Sequence, residues 1–80
     1  MKKTIVNNNG IINTTYDSSN IVSSTYDTNN HTLFITFVKG NLTYKYDNVN
    51  PEDYNQLQSA ESTGKGFIEF IKNKYTGEKI

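Results

Sequence analysis

Eighty residues make a single small domain that buries only roughly 60% of the surface of its unfolded chain, so the core is thin and association with further copies would reinforce it. Eight Lys balance eight Asp and Glu, Arg and Cys are both absent, and net attraction to a long polyanion, a disulfide framework and a thiolate metal site are therefore not built in. The missing guanidinium fork argues against extensive RNA or DNA tracking and favours a small ligand carrying one or two phosphates.

At the N-terminus, Met1-Lys2-Lys3 leads into Asn-rich sequence rather than a signal-peptide core, and no apolar run is long enough to span a membrane. A cytoplasmic chain without membrane contact is expected. The sequons beginning at Asn13, Asn30 and Asn41 are then products of an Asn-rich composition. Thr4-Ile5-Val6 and Ile11-Ile12, joined by Asn7-Asn8-Asn9-Gly10, read as a short hairpin because Asn and Gly tolerate positive φ.

A polar stretch from Asn13 to Asn20 precedes a strand from Ile21 to Tyr26, which Asp27-Thr28-Asn29-Asn30 ends. In Thr32 to Val38, Leu33, Ile35 and Phe37 share one face and Phe34, Thr36 and Val38 the other. Apolar residues on both faces predict an interior strand. Lys39-Gly40-Asn41 turns the chain into Leu42 to Tyr46, where alternation puts Tyr44 and Tyr46 on one face and Lys45 on the other.

The period then changes from strand to helix. Asn50 caps a helix with Pro51 at its first position and Glu52 and Asp53 at its positive end, and Tyr54, Leu57 and Ala60 form its apolar stripe. Ser62 caps a second helix, on which Phe67, Phe70, Ile71 and Tyr75 recur, with Gly77 as its stop. Strands followed by helices predict an α+β domain: an antiparallel meander of about four to five strands covered on one face by two C-terminal helices. Residues 1–80 form one unit, with no internal repeat or linker.

Catalytic constellations are weak. The single His31 sits in a turn sequence, and Asp47, Glu52, Asp53 and Glu61 lack calcium-loop spacing, so neither catalytic nor metal residues nor a cofactor are expected. Ser62-Thr63-Gly64-Lys65-Gly66 is the candidate anion site, since a helix start has unpaired N–H groups, Gly64 and Gly66 permit close approach, and Lys65 adds charge. It lacks Walker spacing, and an ordinary capped helix with packing glycines explains it equally well. Ser18, Ser19 and Asn20 offer hydroxyl and amide groups to phosphate or base edges, or cap a turn. Tyr26 and Asp27 suit the core and a turn start. Tyr44 and Tyr46 either plug the core or offer stacking surfaces for bases.

In order, Ser18-Ser19-Asn20-Ile21, Tyr26-Asp27, Leu33-x-Ile35-x-Phe37, Gly40, Tyr44-x-Tyr46, Val49-x-Pro51, Tyr54, Ala60-x-Ser62-x-Gly64 and Phe67 to Ile71 resemble the KTSC domain, named for the C-terminus of certain lysyl-tRNA synthetases. The resemblance covers residues 18–75, leaving 1–17 as an N-terminal hairpin extension; the chain departs from the common pattern in having no Arg and in Gly66 and Ile68. It implies a compact α+β module for which RNA binding has been suggested. Small phage proteins similar to this domain also resemble oligomeric anti-CBASS sponges that hold cyclic oligonucleotide immune signals without cleaving them.

The expected function is therefore a non-enzymatic binder of a cyclic di- or oligonucleotide, acting as a homo-oligomer (dimer or tetramer) with pockets at or near subunit interfaces. Tyr44 and Tyr46 would stack bases, Lys65 with Gly64 and Gly66 would hold phosphate, and Ser19, Asn20 and Ser62 would hydrogen-bond. An RNA-binding module that stacks single-stranded bases on the sheet is the alternative, and a structural or protein-interaction domain the third.

Overall fold

The computed structural model describes residues 3–80, with side chains from Ile5 onward. Six strands pair antiparallel in chain order: β1 (Lys3–Asn8), β2 (Ile11–Tyr16), β3 (Ile21–Asp27), β4 (Thr32–Phe37), β5 (Thr43–Tyr46) and β6 (Gly77–Lys79). Two helices, α1 (Pro51–Ser59) and α2 (Thr63–Phe67), intervene before β6, and a π-helical turn, Ile68–Lys72, extends α2 without a break.

Local chemistry sets the connections. Asn9 and Gly10 both have positive φ, 53° and 83°, which is the two-residue turn that matches the twist of a hairpin. Asp27 Oδ1 accepts the backbone N–H groups of Asn29 and Asn30 at 2.9 and 3.2 Å, opening the turn that contains His31. The Asn50 side chain accepts from the Glu52 N–H at 2.9 Å with Pro51 behind it, and Ser62 Oγ accepts from the Lys65 N–H at 3.4 Å. Both expected helix caps are present.

The helices cover the face that carries Tyr16, Tyr26, Leu33, Ile35 and Tyr46, and contribute Tyr54, Leu57, Phe67 and Ile71 to the same core. Tyr26 and Tyr54 stack at 4.2 Å with an interplanar angle of 11°, and the Tyr26 hydroxyl donates to the Val49 carbonyl at 2.7 Å. Beneath α1 a polar layer is also buried. The Tyr16 hydroxyl meets Ser24 Oγ at 2.8 Å and donates to Gln58 Oε1, while Gln58 Nε2 donates to Thr14 Oγ1 at 3.0 Å. The Tyr54 hydroxyl, near Thr14, makes no hydrogen bond of accepted geometry.

Three expectations are corrected. The sheet has six strands rather than four or five, because the chain after the helices returns to pair with β5. Gly77 opens that strand instead of ending a helix: a Cβ there would lie 2.5 Å from the Tyr46 ring, so only glycine lets β6 pass over it. The polar stretch from Asn13 contributes the second half of β2, with Thr14 and Tyr16 buried; hydroxyl partners under α1 make such a polar strand an inner one.

Candidate functional site

A half-open pocket of about 550 Å³ lies where the start of β3, the β4–β5 turn and the α2 arm converge. Its floor follows from strand register. Phe37 extends the row of Leu33 and Ile35 on β4, Tyr44 lies opposite Ile35 on β5, and Tyr46 lies opposite Leu33. The α2 residue Phe67 caps this row edge-on, at 5.2 Å from Phe37 and 5.7 Å from Tyr46, while Phe37 and Tyr44 meet at 5.6 Å and 81°. Edge-to-face contacts hold rings in fixed orientations, so the floor is preorganised.

The walls come from three loops. Ser18 Oγ accepts the Asn20 N–H at 3.1 Å and the Asn20 carbonyl accepts the Val38 N–H at 3.0 Å, which fixes the Ser19–Asn20 loop against the β4–β5 turn. Lys39 and Leu42 enter from that turn, where Gly40 has a φ of 74°. From the helical arm come Gly64, Ile68 and Lys72, whose four-residue spacing puts them along one side. A Cβ on Gly64 would sit 2.5 Å from Asn20 Nδ2, so the bare backbone here lets the Asn20 amide lie against the helix.

Five of the eight expected binding residues, Ser19, Asn20, Tyr44, Tyr46 and Gly64, come together in this pocket. Ser62, Lys65 and Gly66 do not line it. Ser62 Oγ takes the Lys65 N–H and the Ser62 carbonyl takes the Gly66 N–H at 2.9 Å, so two backbone donors of this segment already have partners within it. Gly66 instead faces α1, where an added Cβ would lie 2.5 Å from Ala60 Cβ.

The cations of the pocket are Lys39 and Lys72, and its lining holds no carboxylate. Sequence reasoning passed over both. The signal available for Lys72 was its position four residues after Ile68 and eight after Gly64 on one helical side. Tyr44 and Tyr46 also prove unequal: Tyr46 is only 5% exposed, whereas Tyr44 packs on the rim of the core. Burial is the main reason that the Tyr46 hydroxyl titrates above the ordinary tyrosine value, with the neighbouring Tyr44 adding to it.

An antiparallel sheet with a helical arm folded over one face, and a pocket at the end of that arm, defines an α+β domain. Residues 17–75 match the KTSC domain, and the chain belongs to that family. It is also similar to the crystal structure of a KTSC domain protein from Yersinia pestis, with 30% identity, a TM-score of 0.76 and 99% of each chain covered. No curated protein matches it. Among the described residues no helix is long and apolar enough to cross a membrane.

Proposed function

We propose that the protein binds, without turning over, a small nucleotide whose base rests on the Phe37, Tyr44 and Phe67 floor and whose phosphates face Lys39 and Lys72. The observation that carries this reading is that two lysines and a ring-lined floor share one pocket whose lining has no carboxylate. Aromatic contact with a base contributes about 1–3 kcal/mol, and a Lys–phosphate pair adds charge recognition without requiring a basic protein. Ser19 and Asn20 supply hydrogen bonds for a base edge or ribose.

In its finer form the ligand is a cyclic di- or oligonucleotide and the protein a phage-encoded sponge, holding the signal by slow release. A compact cyclic ligand suits this half-open pocket better than a long RNA strand, because α1 and α2 cover the sheet face along which RNA would have to run.

Calorimetry against cyclic dinucleotides, cyclic trinucleotides and short RNA tests the reading. Lys72→Ala and Tyr44→Ala should each weaken the cyclic ligand about tenfold or more, and Lys65→Ala should leave it unchanged. Chromatography of the recovered ligand should return it intact. Altered ligand would instead reveal an enzyme, a steep salt dependence with RNA would favour the RNA module, and no binding at all would leave a structural domain.

A further inference from the structure

β1 is the outermost strand of the sheet, and every described side chain on it, from Ile5 to Asn8, is exposed, with Ile5 at 50% and Val6 at 56%. The opposite edge, β6, has only three residues and carries Glu78 and Lys79, the short charged form by which edge strands avoid pairing. β1 has six residues with no Pro, and its sole charged residue is Lys3 at one end. Such an edge presents an unpaired row of N–H and C=O groups to another extended strand.

The hairpin identifies those groups. A two-residue Asn9-Gly10 loop makes Asn8 and Ile11 its closing hydrogen-bonded pair, and alternation then turns Val6 towards β2 as well. The backbone groups of Lys3, Ile5 and Asn7 are therefore left facing away from the sheet. These three positions are symmetric about Ile5.

We infer that β1 pairs antiparallel with β1 of a second copy of this chain, across a two-fold axis at Ile5. In this register Ile5 meets Ile5, and Lys3 of each copy lies opposite Asn7 of the other, so all outward backbone groups are used and the two Lys3 residues lie at opposite ends. Shifting the axis to Val6 would leave Lys3 without a strand partner. The two-fold arrangement consumes the β1 edge of both copies and closes the assembly, which the short charged β6 edge does not reopen. It lies two strands away from β3, where the pocket begins, so the inference is independent of the nucleotide reading.

Sedimentation equilibrium over a concentration series is expected to show a dimer that dissociates on dilution. Ile5→Lys, and Ile5→Pro with its lost outward N–H, should give folded monomers by circular dichroism, with ligand affinity retained. Because the chain has no Cys, Ile5→Cys under mild oxidation should yield one cross-linked dimer, whereas Val6→Cys, offset from its own copy in this register, should not. A wild-type chain that stays monomeric at every concentration overturns the inference and leaves the edge to a strand of another protein. A dimer that persists in Ile5→Lys, with Ile5→Cys uncross-linked, overturns it by placing the contact elsewhere.

Discussion

Tyr75 lies beyond the helical arm, yet its hydroxyl joins the two ends of the helical region. It donates to Asp53 Oδ2 at 2.6 Å and accepts the Asn50 N–H at 2.9 Å, and Lys74 Nζ reaches Asp53 Oδ1 at 3.0 Å. The Tyr75 hydrogen bond is the main reason that the Asp53 carboxyl titrates below its ordinary value, with Lys74 assisting against partial desolvation. Tyr75→Phe should cost about 1–2 kcal/mol in urea unfolding at neutral pH and move Asp53 back towards the ordinary carboxylate range in an NMR titration. The sign in acid follows from a depressed folded pKa. The contribution of Asp53 is present above the unfolded value and is lost as pH falls through the folded one, so the stability difference between wild type and Tyr75→Phe should narrow there. The helical period put Tyr75 on the second helix, whereas it lies beyond Lys72, and its hydroxyl contact with Asp53 joins positions 22 residues apart, which no helical period reports.

The α1–α2 junction turns on Gly66 and Ala60. Replacing a helical glycine by alanine normally stabilises by up to about 1 kcal/mol, but a Cβ at Gly66 would lie 2.5 Å from Ala60 Cβ. Overpacking of this kind costs about 1–3 kcal/mol and outweighs the propensity gain. Gly66→Ala should therefore lower the melting temperature, and adding Ala60→Gly should restore part of it, since the clash is between those two carbons. The Ser62 cap was legible because a cap is chosen by the residues beside it. The partner of Gly66 was not, because the approach of two helices is set by their packing on the sheet.

At the scale of the whole molecule, four of the five aromatic side chains of the core are tyrosines, and their hydroxyls make the fold sensitive to base. Burial pushes Tyr16 up to about 12, partly offset by its hydrogen bond with Ser24. Burial is likewise the first cause for Tyr26, Tyr46, Tyr54 and Tyr75, all raised above the ordinary value of 10.0. A raised folded pKa means that these groups contribute fully below the unfolded value and that the contribution is lost as pH rises through the folded one. Stability should thus fall as pH rises past about 10. Tyrosinate absorbance and circular dichroism should change together; gradual tyrosinate formation with unchanged circular dichroism would contradict this account.

The amino-acid sequence by itself determined the α+β order, an N-terminal hairpin turning within Asn7 to Gly10, the shared face of Tyr44 and Tyr46, and the caps at Asn50 and Ser62. Each depends on neighbouring residues through backbone sterics, alternation or an unpaired N–H. Only the tertiary structure decided that β6 returns to β5, that Gly66 serves helix packing, and that Lys39 and Lys72 rather than Lys65 enter the pocket. Those outcomes depend on where a helical arm crosses a twisted sheet, which is settled by side chains far apart in the chain filling one core.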